Sequence, residues 1–420
     1  MFIDFQQTGN PKLQHRINRS IIFHYLQEHG ESTRSKIATA LHLSVPTVSR
    51  TIDRLIQQQY VVEVGKQVTE VGKRPNVLSI NRNLGFILCI DLVKEKLEMA
   101  AADFLGSVLA TKTGFRIKDS RDICRKLVKE LSIFVDEISS RQPVQLSPDK
   151  LLAIILGMPA EVDPNSGEPI GGSLYNNWYG IPFRKIISED FGVPVYVERD
   201  VVLSIIAEKK LGNSKKYNHI IHVEVSTGVG VGIIMNNHLV RARGALGVAG
   251  DAAYTDSIIR SGADDANVRY DKYYGSIQSI VTKAIDRIQT GDKTKILELA
   301  HHDIESIDAH TVCQAALEGD QVAQQLILET VEILARGVSN IVLTLSPEVV
   351  VLGGELSTLP GAETLFREPI AVKMAKLVPF ELPIVELSSL SEDAILLGGA
   401  LVAVDNLIRD EFPFKKAKSA

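Results

Sequence analysis

Four hundred and twenty residues are more than one small hydrophobic core organises, so two or three domains are expected. A composition of 45% hydrophobic and 23% charged residues, with 30 glycines and 16 prolines, belongs to a folded chain and excludes the disordered, collagen-like and coiled-coil classes. The net charge of -5 hides an asymmetry: residues 1–82 carry eleven Lys/Arg against six Asp/Glu, a surplus of five that leaves -10 on residues 83–420.

A small basic end on a large acidic body implies a polyanion-binding module with a separate second task. No apolar run approaches the roughly 18 residues of a membrane span, and the first residues, MFIDFQQTGN, lack the basic-then-apolar layout of a signal peptide. Cys89, Cys124 and Cys313 stand far apart and offer neither a disulfide framework nor a CxxC metal site. A cytoplasmic protein without membrane insertion is expected.

From Lys12 to Leu26 the apolar residues Leu13, Ile17, Ile21, Ile22, Tyr25 and Leu26 recur at helical spacing, and Gly30 ends the helix. Thr33 caps a second, short helix with Ile37, Ala38 and Leu41 inward. Ser44 caps a third, Val45–Gln59, with Pro46 in its first turn, where a missing N–H costs nothing. Its inner face is Val48, Ile52, Leu55 and Ile56, and its outer face carries Thr47, Ser49, Arg50 and Arg54. Two short helices around a tight turn, the second with small polar and Arg residues near its start, form a helix-turn-helix. His42 stands in the turn where Gly is commoner, and His tolerates the left-handed region. The runs YVVEVG (60–65) and NVLSIN (76–81), joined by a turn containing Gly72, Lys73, Arg74 and Pro75, read as a two-stranded wing with two cations at its tip. A winged helix-turn-helix over 1–82 follows. Its DNA contacts are expected from Arg34, Lys36, Ser44, Val45, Pro46, Thr47, Ser49, Arg50, Arg54, Lys73 and Arg74. The plainer alternative is a three-helix docking module with a solvated basic face.

From Gly85 the chain turns β-rich. FILCIDL (86–92), LEMAAAD (97–103) and SVLATKT (107–113) are three short strands, followed by a helix over about 120–138 and the buried strand LLAIILG (151–157). The plan recurs near residue 218 with HIIHVEV, VGVGIIM, a hairpin at Asn236-Asn237 and HLVRA. A helix pair ending at Ser346-Pro347 leads to EVVVLGG (348–354) and a last helix from about Glu392. Two similar halves imply a duplicated α/β body, 83–420, with a cleft between lobes: about 83–198 plus 390–420, and about 199–389.

Several segments carry a family resemblance: LSVPTVSRTIDRLIQQQYVVEVG, GKRPNVLSIN, GMPAEVDPNSG, NNWYGIPF, GVPVYVERD with AEKKLG, STGVGVGII, RGALGVAGD, SPEVVVLGGELS and LLGGALVAV. In order and spacing, over roughly residues 12–405, they resemble transcriptional regulators of the ROK family (repressor, open reading frame, kinase). The resemblance implies an α/β, two-lobed, actin-like or ribonuclease H-like sugar-kinase fold behind the winged helix-turn-helix.

The family's kinases open with Asp-x-Gly-Gly-Thr, whose glycines let backbone N–H groups wrap ATP phosphates. Here the place reads Asp91-Leu92-Val93-Lys94-Glu95, without either glycine, so no ATP and no kinase activity are expected. Ser226-Thr227-Gly228-Val229-Gly230 and Gly353-Gly354 resemble the nucleotide-side loops and serve equally as plain turns. The family's sugar contacts imply an effector site from Asn176, Asn177, Glu198, Asp200, Thr227, Gly228, Asp251, Tyr254 and Gln278. Asp200 has a second reading as a helix N-cap, and Trp178 is either core or a platform for a sugar face. The family's zinc motif aligns with Arg269, Asp271 and Ser276, with Tyr254 at its histidine. Neither thiol nor imidazole is kept, so no zinc is expected.

The reading is a regulator, not an enzyme: a repressor of carbohydrate-use genes, binding a double-stranded DNA operator as a homodimer or homotetramer and controlled by a sugar or sugar derivative in the cleft. A regulator with a degenerate sugar site controlled by a protein partner comes second, and a residual sugar kinase third.

Overall fold

The computed structural model describes residues 11–66, 75–94, 96–117, 122–142, 146–163, 166–171, 178–241, 275–390 and 393–410. The chain forms two compact units, one of residues 1–157, 182–197 and 399–420, the other of 158–181 and 198–398. The DNA module and most of the first lobe fall in the first of these units, whose C-terminal part begins at 399.

In the first unit, α1 (Pro11–His29), α2 (Arg34–Ala40) and α3 (Val45–Gln57) precede the antiparallel wing strands β1 (Val61–Lys66) and β2 (Asn76–Ile80). The helix limits follow from the caps. Thr33 accepts the Lys36 N–H at 3.4 Å, Ser44 accepts the Thr47 N–H at 3.2 Å, and Gly30 leaves α1 at φ 68°. His42 holds the turn between α2 and α3 at φ 52°, in the left-handed region. Ile22, Phe23, Leu26, Ile37, Val48, Ile52 and Leu55 are buried and make the module's core.

The first lobe is a five-stranded sheet in the order β5-β4-β3-β6-β9, from β3 (Phe86–Asp91), β4 (Lys96–Asp103), β5 (Val108–Arg116), β6 (Leu151–Met158) and β9 (Val195–Arg199). Helices α4 (Ile123–Arg141) and α5 (Phe183–Phe191) accompany it, while β7 (Glu161–Val162), which pairs with β8 (Pro169–Gly171), belongs to the second unit.

The second unit repeats the plan as β12-β11-β10-β13-β14: β10 (Ile220–Val225), β11 (Val229–Met235), β12 (His238–Leu239), β13 (Val349–Gly353) and β14 (Ile384–Leu387). In both sheets the first strand, β3 or β10, runs antiparallel to the second and parallel to the fourth, β6 or β13. That identity of order is the duplication legible in the sequence. One face of the second sheet buries Ile221, Val223 and Val225 with residues of α7 (Ile277–Gln289), α9 (Ala309–Leu317) and α10 (Gln321–Leu345). The other buries Ile220, Ile234, Val349 and Val351 against Ile205 of α6 (Asp200–Lys210). The short α8 (Lys295–Leu299), α11 (Glu368–Leu377) and the last helix α12 (Ala394–Asp410) complete the chain. No helix among the described residues is long and apolar enough to cross a membrane.

Candidate DNA interface and effector site

The residues expected to meet DNA divide into three groups. Ser44, Val45, Pro46, Arg50 and Arg54 are exposed along α3 and its cap, with Thr47 and Ser49 half-buried between them. Val45 leaves 52% of its surface to solvent, an apolar contact held at the start of a helix. Lys36 is exposed on α2, whereas Arg34 is engaged within the module by Asp53 and Glu63. Lys73 and Arg74 lie outside the described residues. The exposed face of α3 can reach base edges from a major groove.

Of the expected effector residues, Asn176, Asn177, Asp251 and Tyr254 lie outside the described residues. The other five belong to the second unit, and four of them gather at one end of its sheet. Helix α6 packs on β11 because Gly230 and Gly232 carry no side chain: a Cβ on Gly230 would lie 2.3 Å from Val201, and one on Gly232 2.8 Å from both Ile205 and the Val201 carbonyl. This close approach sets Asp200, the residue before Val201, at the β10–β11 end. There the Ser226 N–H donates to Gly228 O at 2.9 Å, closing the hairpin around Thr227. The Ile277 N–H donates to Ser226 O at 2.8 Å, which brings Gln278 in the first turn of α7 to the same place.

Asp200 does not occupy the N-cap, which falls to Arg199. It is the first helical residue of α6, and its carboxylate accepts the Val201 N–H at 2.8 Å, favourable at the positive end of a helix. Glu198, at the end of β9, accepts the Arg199 N–H and pairs with Arg241 at 2.5 Å. The Thr227 hydroxyl is buried and makes no hydrogen bond among the described residues. Trp178 is 1% exposed, a core residue.

The two nucleotide-side loops meet. Gly354, at φ 71°, lies so close to the hairpin that a Cβ would stand 2.6 Å from Ser226 Oγ, and that hydroxyl accepts the Glu355 N–H at 3.1 Å. In the first unit the loop after β3 is closed on itself: the Leu92 N–H donates to Gly157 O at 3.1 Å, and the Val93 N–H to Asp91 Oδ1 at 2.8 Å. Leu92 and Val93 are buried. Backbone donors so committed do not fit a phosphate. At the zinc positions, Arg269, Asp271 and Tyr254 lie outside the described residues, and Ser276 is spent as the cap of α7, accepting the Ser279 N–H at 3.2 Å. Among the described residues no group of three or more His, Cys, Asp or Glu side chains could hold a metal ion.

One polar pair escaped the sequence reading. His222 and Glu224 sit two apart on β10, hence on one face, and His222 Nε2 lies 2.9 Å from Glu224 Oε2. His222 is fully buried against Gly353, where a Cβ would meet its ring at 2.4 Å. The period-two spacing within HIIHVEV was the available signal.

A helix-turn-helix joined to a duplicated actin-like body defines a class of protein, and comparison with known proteins agrees with it. The ROK family signature matches residues 87–262 and 278–406, and the MarR family signature matches residues 22–62. The chain belongs to the ROK family. It is 26% identical over 406 residues to the xylose repressor of Caldicellulosiruptor bescii, covering 95% of this chain and 98% of that one. The crystal structure of a ROK family transcriptional regulator described as a homolog of the Escherichia coli Mlc protein superposes with a TM-score of 0.74 at 20% identity, over 94% of this chain and 97% of that one. A ROK family glucokinase from Streptomyces griseus, in complex with glucose and AMPPNP, gives a TM-score of 0.63 at 21% identity, over 76% and 99%.

Proposed function

We propose that this protein is a DNA-binding transcriptional repressor of carbohydrate-use genes, a homodimer or homotetramer whose operator affinity is set by a sugar or sugar derivative. The observation that carries the DNA part is the capped helix α3, which presents Ser44, Val45, Pro46, Arg50 and Arg54 to solvent. The likeness to the xylose repressor spans module and body together, which supports the pairing of the two tasks in one chain.

The effector part rests on Asp200, Thr227, Gly228 and Gln278 gathered at one end of the second sheet. A carboxylate accepts hydrogen bonds from adjacent sugar hydroxyls, and a buried threonine hydroxyl with no partner among the described residues is costly unless a further group completes it, as a ligand would. Catalysis is not part of the proposal. A kinase needs backbone donors around the phosphates, and the Leu92 and Val93 N–H groups are already taken. The protein works in the cytoplasm, without zinc or ATP.

The test joins two measurements. DNA selected from a random pool should contain a palindromic site bound far more tightly than bulk DNA. A thermal-shift screen of pentoses, hexoses, amino sugars and their phosphates should then find a compound that raises the melting temperature and changes affinity for that site. A folded protein that selects no sequence, or one whose operator affinity no sugar alters, would refute the corresponding half.

A further inference from the structure

Tethered DNA-binding domains are joined to their bodies by slack linkers. Here the connection has none. Asn81 Nδ2 donates to Gln59 O at 2.9 Å, Arg82 pairs with Asp103 at 3.5 Å and donates to Ser107 Oγ at 3.3 Å, and a Cβ on Gly85 would stand 2.2 Å from Lys150 O.

Beyond the linker, two sets of contacts hold the module, both within the first unit. Phe104, in the turn after β4, lies edge-on to Phe23 of α1 at 5.6 Å between centroids and stacks on Tyr60 at 5.3 Å; all three rings are fully buried. The same turn rests on α12, since a Cβ on Gly106 would lie 3.2 Å from Leu401. The last turns of α12 meet the module directly. Arg19, 4% exposed, donates to Arg409 O at 2.8 Å, Tyr60 donates its hydroxyl to Leu407 O at 3.4 Å, and His24 Nε2 lies 3.4 Å from an Asp405 carboxylate oxygen. A helix leaves its final carbonyls without partners of their own, and a guanidinium there also opposes the negative end of the helix dipole.

We infer that the C-terminal turns of α12 are a bracket that sets the orientation of the DNA module, with Arg19, Tyr60 and Phe104 as its positioning residues. None of the three lies on α3. They act on recognition by fixing where α3 points.

The bracket is tested without DNA or effector. The native cysteines are buried, so Ser35→Cys on α2 and Asp136→Cys on α4, both exposed positions, take nitroxide labels selectively. Electron–electron distance measurements, on labelled protein diluted with unlabelled, should give one narrow distribution in the parent. Arg19→Met/Tyr60→Phe should broaden it severalfold with unchanged helical content by circular dichroism. If the double variant does not fold, Tyr60→Phe alone keeps the ring stack, drops one hydroxyl and should still broaden the distribution. A broad distribution in the parent, or an equally narrow one in the folded variant, overturns the bracket. Sites selected from random DNA add a second readout: one half-site spacing for the parent and several for the variant. If the distances respond as stated and no sequence is selected by either protein, the bracket stands and the repressor reading falls.

Discussion

The guanidinium of Arg34 lies 2.8 Å from the carboxylate of Asp53, and its other nitrogen reaches Glu63 at 3.7 Å. Asn76 donates to the second oxygen of Glu63 at 2.6 Å. The start of α2, the middle of α3 and both wing strands are thereby fastened at one point. In the sequence Arg34 reads as a DNA contact; in the structure its charge is answered inside the module.

Arg34→Ala is expected to leave affinity for operator and random DNA nearly unchanged, with a small loss of module stability, roughly 0.2–1 kcal/mol for a partly exposed pair. Arg50→Ala should behave differently. Arg50 projects unpaired by any ion pair among the described residues, so losing a base contact should cost roughly 1–3 kcal/mol on the operator and little on random DNA. Titrations of both variants against both DNAs decide it; an equal loss for Arg50→Ala would make it a phosphate contact.

Asp200→Asn keeps the shape of the side chain and removes its charge. If the carboxylate accepts a hydrogen bond from a sugar hydroxyl, affinity for the effector found by the thermal-shift screen should fall roughly ten- to a hundredfold, equivalent to about 1.5–3 kcal/mol. Operator binding without effector should persist, and ATP turnover should be undetectable in both proteins. A variant that loses stability and retains its effector response would leave Asp200 as a residue of the helix start only, and the ligand contacts would then have to come from Thr227 and Gln278.

Much of this architecture is legible in the chain because its signals are local. Thr33 and Ser44 mark helix starts, Gly30 and Ser346 mark ends, and the runs around Phe86 and Ile220 alternate or stay apolar in ways only strands do. The bracket was not legible, because Arg19 and Arg409 stand 390 residues apart and each resembles an ordinary surface cation. The same limit applies to Arg34, whose partner Asp53 looks like a solvated acid on the polar side of α3. Local spacing reports which face a residue shares. It does not report which distant chain covers that face, and the joining of module and lobe into one unit depends on that.

The thiols give a chemical test of burial. Cys124 and Cys313 are each pushed up to about 12, first by burial and then by nearby carboxylates, and burial raises Cys89 as well. A thiol so shifted stays protonated and unreactive at neutral pH. A colorimetric thiol reagent should find almost no reactive cysteine in the native protein within minutes, and all three after unfolding. Rapid reaction of one thiol in the native state would show that its cover opens readily.

Glu348 offers a pH test of the second sheet. Its carboxylate accepts the His219 N–H at 2.8 Å and the Asn218 N–H at 2.6 Å, joining the entry of β10 to that of β13. Those two bonds, the His219 one foremost, hold its pKa below the ordinary carboxylate value. A depressed folded-state pKa means stability that is present above the unfolded value, about 4.3, and lost as pH falls through the folded one. Glu348→Gln retains an acceptor and loses the charge, so it should melt slightly below wild type at neutral pH. The exposed position and solvent screening keep that gap small. As pH falls from neutral through the lowered folded-state value the wild-type carboxyl becomes protonated and the gap should close. Melting curves of both proteins across that range decide the matter. A gap that is constant with pH would mean that the substitution acts through packing, and that the charge on Glu348 contributes nothing to joining the two strands.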